Sequence, residues 1–378
     1  MRVLLIDQFG DLGGAQQSLL EAAEGFAARG WELHAVIPAG PLATRIAPYV
    51  RSVTTIVCGP FAPARKRFWD GLRMAAQLPG HVSAIAHACS REGIDVLYVN
   101  GPRLLPAASL ARGSRSLMFH AHSVVTQPLA RAMTGRALRK SGVRMVASSR
   151  YAASWIETYV GPDCVRVIYN GTRGFQRTPQ PRARFRRIGV LGRIAPEKGQ
   201  MTFVRAARIA ASSNSGLRFT VCGSPMFAAR AYFDAMKAEA DGGVSWEPWT
   251  DDVGSFFANI DVLVVPSEPV DANPRVIPEA YAAGVPVIAF AAGGVPELVE
   301  DGITGLLVEE RTPRALAQAI LDAVQDPERL NAMVKRAYVR FQTHYTLGRF
   351  QAEVSDAVEE AAHLQQRPFH KADASARA

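Results

Sequence analysis

Short, nearly uninterrupted apolar runs recur along the first half of the chain, each closing on a polar or turn-forming residue. Val3 to Asp7, Leu33 to Ile37, Val53 to Val57, Val96 to Asn100, Leu117 to His122, Arg144 to Ala147 and Val165 to Ile168 have the length, and mostly the lack of alternation, of strands buried on both faces. Between several of them apolar residues recur at helical spacing, and the stretch Gln16 to Arg29 stops at Gly30, a helix-closing residue. The second half repeats the rhythm with strands Arg187 to Leu191, Arg218 to Cys222, Asp261 to Pro266 and Val285 to Phe290. Helices are expected at Thr202 to Ala211, Ala228 to Ala240, Ile277 to Ala283 and Arg314 to Val324, with another from Asp326-Pro327 through Tyr338 and a last one at Thr346 to His363. Such alternation predicts a doubly wound α/β fold with parallel sheets covered by helices.

The rhythm breaks at Thr172 to Arg184, which holds Pro179 and Pro181 and reads as a linker. This sets expected units at 1–178, 179–342 and a closing helix at 343–365. The tail 366–378 lacks pattern and is expected to be disordered. Composition agrees, since 378 residues with 48% hydrophobic content support about two cored domains. No apolar run nears the roughly 18 residues a spanning helix needs, and Val3 to Ile6 meets Asp7 too soon for a signal peptide. A cytoplasmic protein is expected. Cys58, Cys89, Cys164 and Cys222 stand far apart without C-x-x-C spacing, as reduced core thiols do, so no metal site or cofactor is expected.

Charge changes this picture. Residues 1–178 carry 21 Lys and Arg against 10 Asp and Glu, while the remainder carries 22 against 24. The basic half wants an anionic neighbour. No nucleic-acid module or aromatic-interleaved basic strand pair is present, which argues against nucleic acid. Arg65-Lys66-Arg67-Phe68-Trp69, followed by Leu72, Met74 and Leu78, fits a basic amphipathic helix lying on anionic lipid at the inner face of a membrane. It fits equally a solvated helix whose aromatics pack inward.

Several residue groups carry candidate chemistry. The turn Gly10-Asp11-Leu12-Gly13-Gly14-Ala15 lacks the G-x-G-x-x-G of a dinucleotide fold. Its Gly13-Gly14 pair either offers helix amides to an oxyanion or meets a tight turn's need for positive φ. His120 and His122 alternate, so they share one face at the C-terminal end of a strand, where open α/β sheets bind ligands. Ser149-Arg150 opens a helix where an anionic acceptor could be met. Arg193 and Lys198, five residues apart in Gly192-Arg193-Ile194-Ala195-Pro196-Glu197-Lys198-Gly199, can clamp a diphosphate from two sides, unless Arg193 only pairs with Glu197 on the surface. Asp271 and Glu279 bracket a turn that runs into a helix N-terminus, a place that attracts anions.

The string Val265-Pro266-Ser267, Asp271-x7-Glu279-Ala280, Ala283-Gly284-Val285-Pro286-Val287-Ile288, Gly293-Gly294-Val295-Pro296-Glu297 and Gly302-Ile303-Thr304-Gly305-Leu306 resembles the nucleotide-sugar site of retaining GT-B glycosyltransferases, called group 1 or family 4. Gly192-Arg193 with Lys198-Gly199 matches that family's pyrophosphate signature, and Asn170-Gly171 its linker start. The resemblance implies two Rossmann-like domains facing across a cleft, with the donor in the second and the acceptor in the first. It also implies metal-free transfer of a hexose-type sugar from a nucleoside diphosphate of UDP or GDP type to a glycan, lipid-linked or small-molecule acceptor, as in envelope or exopolysaccharide synthesis.

By the same resemblance His122, or else His120, points at the donor sugar. Gly13, Gly14 and Gln16 lie at the cleft, with Gln16, Ser149 and Arg150 toward the acceptor. Arg193 and Lys198 hold the diphosphate, and Gly223 lets the nucleotide approach. Asp271 holds sugar hydroxyls and Glu279 the ribose. Backbone amides at Asn273, Arg275 and Val276 face sugar and phosphate, with Glu297 orienting the loop. Three departures stand out: Asp271 replaces a glutamate, Pro274 replaces a glycine and cannot donate an N–H, and Pro278 is tolerated only in a first helical turn, which puts the expected helix start near Ile277. A nucleotide-sugar epimerase or hydrolase, or a weakened binding protein, are the alternatives.

Overall fold

The computed structural model describes residues 1–59, 68–141, 145–175, 179–225, 230–268 and 271–366. The basic cluster Arg65 to Arg67 therefore lies outside the described residues, as do residues 367–378 of the tail. Two parallel sheets form the frame. The first holds β1 (Arg2–Asp7), β2 (Glu32–Pro38), β3 (Ser52–Ile56), β4 (Val96–Asn100), β5 (Ser116–Ala121), β6 (Met145–Ala147) and β7 (Val165–Val167) in the order β3-β2-β1-β4-β5-β6-β7. The second holds β8 (Arg187–Leu191), β9 (Arg218–Cys222), β10 (Ser245–Glu247), β11 (Val262–Val265), β12 (Val287–Phe290) and β13 (Leu306–Val308) in the order β10-β9-β8-β11-β12-β13.

Both are doubly wound Rossmann-like layers, as the sequence rhythm predicts. Alternate residues of each strand feed opposite faces. Leu4, Ile6, Leu97, Val99, Leu117 and Phe119 enter one core of the first sheet, while Val3, Leu5, Val96, Tyr98 and Met118 enter the other. Burial on both faces is why these runs lack alternation. In the second sheet Ile188, Val190, Phe219 and Val221 face one way, and Leu191, Cys222, Leu263 and Val265 the other.

In each sheet the strand order reverses once, between β1 and β4 and between β8 and β11. Crevices outside the C-terminal strand ends at such points are where open α/β sheets hold ligands. The strand ending in the two histidines stops at Ala121, one residue short of expectation, so His122 sits just past the ladder.

The helix Leu347–Gln366 packs on the first sheet, not the second, burying Phe350, Val354, Ala357, Val358 and Ala361 beside Leu19 and Phe26. That spacing is one helical face. Thr172 and the start of this helix exchange backbone bonds, Thr172 N to Tyr345 O at 2.8 Å and Leu347 N to Thr172 O at 3.0 Å. The two crossings of the chain between sheets thus lie side by side. Among the described residues no helix is long and apolar enough to cross a membrane.

Candidate active site

Three polar residues end neighbouring strands of the first sheet. Asp7 of β1 is in register with Asn100 of β4, which is in register with His120 of β5. Asp7 is buried; it accepts from Asn100 Nδ2 at 2.6 Å, Phe9 N at 2.8 Å and Gln16 Nε2 at 3.1 Å. Burial outweighs those bonds and pushes its carboxyl up to about 6.

His122 Nε2 lies 2.6 Å from Asn100 Oδ1, and its ring centroid is 3.9 Å from that of His120, the planes tilted by 40°. Desolvation, with the positive charge of Arg275 adding, lowers His122 to about 3. His120 is held well below its ordinary value by burial and by His122. Its Nδ1 meets the Tyr98 hydroxyl at 2.5 Å. Both rings are neutral near pH 7.

The opposite wall belongs to the second sheet. The loop after β8 turns through Gly192, and Gly199 adopts a left-handed φ of 69°. A Cβ at Gly199 would stand 1.8 Å from the Pro266 carbonyl, so only glycine fits between the two loops at the switch point. That fit brings Lys198 to Asp271, Nζ to Oδ2 at 2.7 Å, across 73 residues of sequence. Arg193 Nη2 bonds Glu197 Oε1 at 2.6 Å, which is the ion pair weighed above. Both cations keep side-chain exposures of 28% and remain reachable. Gly223 also sits in a close approach, since its Cβ would meet Gly192 O at 2.0 Å.

The helix Val276–Ala283 follows, one residue earlier than expected, with Pro278 in its first turn where no intrahelical donor is lost. Glu279 is half-buried there, and desolvation raises it to about 7, with Arg275 opposing and Glu21 adding. The Arg275 side chain leaves its own domain: Nη2 and Nη1 grip Glu21 Oε1 and Oε2 at 2.6 and 2.9 Å, and Glu279 lies at 3.8 Å. The Asn273 side chain donates to the Ser148 carbonyl. The loop 271–276 therefore contacts the first domain through side chains, beyond the amides the sequence singled out.

Other expected residues fall in less expected roles. Gly13 and Gly14 do not take positive φ, so the tight-turn explanation fails. A Cβ on Gly14 would instead touch Arg275 Cδ at 3.5 Å, and one on Gly13 would press the Gln16 amide at 3.1 Å. Gln16 itself is buried against Asp7. Ser149 is buried and caps its helix, accepting from Ala152 N at 3.0 Å. The amides of Arg150 and Tyr151 each donate at 2.7 Å to the Glu297 carboxylate, which also accepts from the Tyr169 hydroxyl at 3.0 Å. The helix N-terminus expected to meet an acceptor is thus held by an acid of the other domain.

Two family models cover most of the chain. One, for glycosyltransferase family 4, matches residues 12–173, and the other, for glycosyl transferases group 1, matches residues 185–326. The chain belongs to the group 1, family 4 glycosyltransferases. Among solved members of the GT-B fold, Anabaena Alr3699/HepE in complex with UDP-glucose superposes with a TM-score of 0.80 at 20% identity, covering 95% of this chain and 100% of that one. The sucrose-phosphate synthase of Thermosynechococcus elongatus gives 0.79 at 20%, with 96% and 100% covered.

In sequence, this glycosyltransferase is 31% identical over 262 residues to the GDP-mannose-dependent α-(1-6)-phosphatidylinositol monomannoside mannosyltransferase of Mycobacterium tuberculosis. The match spans 61% of this chain and 66% of that relative. It is 27% identical over 363 residues to the D-inositol 3-phosphate glycosyltransferase of Acidothermus cellulolyticus, with 82% and 78% covered. The group 1 match contains Arg193, Lys198, Asp271 and Glu279, and the family 4 match contains His120 and His122.

Asp7, Asn100 and Glu21 escape a reading of the sequence for cations and motifs. A signal exists for the first two, because each is the lone polar residue closing a run of buried apolar ones at a strand end. Nothing local marks Glu21, whose partner lies 254 residues away.

Proposed function

We propose that the protein transfers a hexose-type sugar from a UDP- or GDP-linked donor, held by the second domain, to an acceptor hydroxyl presented by the first, with retention at the anomeric carbon. The single observation that carries this reading is the contact of Lys198 with Asp271 at the switch point of the second sheet, between loops that also hold Arg193 and Arg275, with Arg275 close enough to act on His122 of the first domain. Arg193 is paired with the partly exposed Glu197 and Lys198 with the largely buried Asp271, and a diphosphate can take over those charges.

The acceptor oxygen attacks the anomeric carbon on the face the diphosphate leaves. The bond from that carbon to the phosphate oxygen breaks, and the hydroxyl proton passes to a leaving phosphate oxygen. Charge growing on that oxygen is met by the two cations, so the step needs no metal ion. Asp271, freed from Lys198, and Glu279 accept hydrogen bonds from sugar and ribose hydroxyls.

The relatives' names suggest inositol-containing or lipid-linked acceptors, and we place the transfer in envelope or polysaccharide synthesis at the cytoplasmic face. The basic first half suits an anionic membrane, and Arg65→Glu with Lys66→Glu should then reduce flotation with anionic vesicles. Domain boundaries near 178 and 342 fit a donor domain closed by the helix Leu347–Gln366 on the acceptor domain.

A thermal-shift screen of UDP- and GDP-sugars identifies the donor, since each binder raises apparent stability by mass action. Product anomers are then read by NMR, with acceptor, with donor alone, and with EDTA. Rapid acceptor-independent turnover, an inverted product or loss of activity in EDTA would each sink part of the reading.

A further inference from the structure

Asn100 reads the charge state of one strand end and passes it to another. Its amide nitrogen lies 2.6 Å from Asp7 Oδ2 and 3.1 Å from the Ala15 carbonyl. An ionised carboxylate and a carbonyl only accept, so the NH2 of Asn100 is fixed toward them. Its Oδ1 is thereby turned to His122 Nε2, at 2.6 Å. That oxygen also only accepts, so Nε2 must carry the hydrogen. With the ring neutral, Nδ1 is left as a lone pair.

Among the described residues Nδ1 has no hydrogen-bond partner, and the ring is half-buried at the cleft with Arg275 of the other domain nearby. His120, its ring centroid 3.9 Å away, backs the ring and limits its rotation. The orientation of Asp7 is over-determined in turn: Phe9 N holds Oδ1, Gln16 Nε2 reaches both oxygens and Asn100 holds Oδ2.

The geometry points to Asp7 and Asn100 as positioning residues that hold His122 in its Nε2–H tautomer, so that Nδ1 accepts a hydrogen bond from a hydroxyl of the bound sugar or acceptor. This rests on the reading of the cleft as a sugar-transfer site. It specifies what His122 takes: a hydroxyl, which donates, and not a phosphate oxygen, which would set lone pair against lone pair. A neutral, electron-rich nitrogen beside the anomeric carbon also suits the positive charge that develops there, where an imidazolium would oppose it.

The test uses the full chain labelled with 15N-histidine. Without any ligand, the wild-type His122 should show a protonated Nε2 and an unprotonated Nδ1. In Asp7→Asn the introduced amide oxygen is claimed by Phe9 N–H, and its NH2 faces the NH2 of Asn100. Asn100 must then rotate and present its NH2 to His122, moving the tautomer to Nδ1–H. The kcat should fall on the order of tenfold or more while donor KM moves little. Combining Asp7→Asn with Asn100→Asp puts an accepting oxygen opposite Nε2 again and should restore the Nε2–H signal and part of kcat.

An Nδ1–H signal in the wild type, or a His122 signal unmoved in Asp7→Asn, overturns the proposal. Should Asp7→Asn fail to fold, Asn100→Ser replaces it: mixed tautomers are expected, and a pure Nε2–H signal overturns the assignment. Because the spectrum needs no substrate, the two levels separate. A wild type with the Nε2–H signal that transfers no sugar sinks the reading of the cleft. A moved tautomer with unchanged kcat sinks the positioning role.

Discussion

On the first domain's wall of the cleft, Asp7, Asn100 and His122 are joined by hydrogen bonds, His120 lies against the His122 ring and bonds Tyr98, and both histidines are neutral. On the second domain's wall, Arg193, Lys198 and Arg275 each lie against a carboxylate. Hydrogen bonds among buried groups are directional and costly to leave unmade, so the first wall is fixed before any ligand arrives. The Arg193–Glu197 pair is partly exposed and contributes little, while Asp271 beneath Lys198 is only 12% exposed and its pair is held more firmly. In the transfer proposed above, the first wall orients and the second exchanges these carboxylates for a diphosphate. Arg275 is the exception on its side, because its pair with Glu21 is buried and joins the two walls.

The sharpest way to break this contrast is to neutralise the capturing cations. Arg193→Ala with Lys198→Ala should lower sugar-nucleotide affinity and turnover by roughly 10²–10³-fold while leaving the melting temperature nearly unchanged. Calorimetric titration and a thermal melt decide it, and a large melting shift would mean those pairs are structural. Next in size, Glu21→Ala leaves Arg275 buried with only Glu279 near, which should cost about 3 kcal/mol in denaturant unfolding. A negligible cost would place Arg275 among the exchangeable pairs.

Glu297→Gln probes the second link between the walls. Replacing a carboxylate that holds the Arg150 and Tyr151 amides should weaken that end by about 1.5 kcal/mol, read as roughly tenfold faster hydrogen exchange at those two amides. Unchanged exchange would show that the helix N-terminus does not need the acid.

The smallest effect is in pH. Glu279 and Asp7, raised from ordinary values of 4.5 and 3.8 to about 7 and about 6, contribute stability that is complete below the ordinary values and lost as pH rises through the folded ones. His122, lowered from 6.5 to about 3, and His120 do the reverse, losing stability as pH falls below 6.5. Between pH 4.5 and 6.5 the two carboxyls oppose the two histidines. Glu279→Gln removes one opponent, so its unfolding free energy should climb more with pH over that window than the wild type's. A parallel pair of curves would show that Glu279 does not titrate there.

Much of this was legible because its causes are local. A parallel strand buried on both faces must be apolar along its length, so β1, β4 and β8 announce themselves. Gly192-Arg193 and Lys198-Gly199 stand within one turn, and both cations were visible at once. At Ser149 and Arg150 a helix N-terminus looks open in sequence, although Glu297, 147 residues on, accepts from the Arg150 amide. Gly13-Gly14 is ambiguous in sequence too, since small size for a neighbour and freedom of φ leave one signature.

By itself the sequence determined the fold class, the two-sheet division, the turn that carries Arg193 and Lys198, and the histidine pair, since periodicity and short spacings are properties of consecutive residues. Only the tertiary structure decided which charge meets which: Lys198 with Asp271, Arg275 with Glu21, Glu297 with the far helix, and Asp7 with Asn100 and so with His122. The physical reason is that hydrogen bonds and ion pairs act over about 3 Å of space, and parallel sheets bring strand ends within that reach across tens to hundreds of residues of chain.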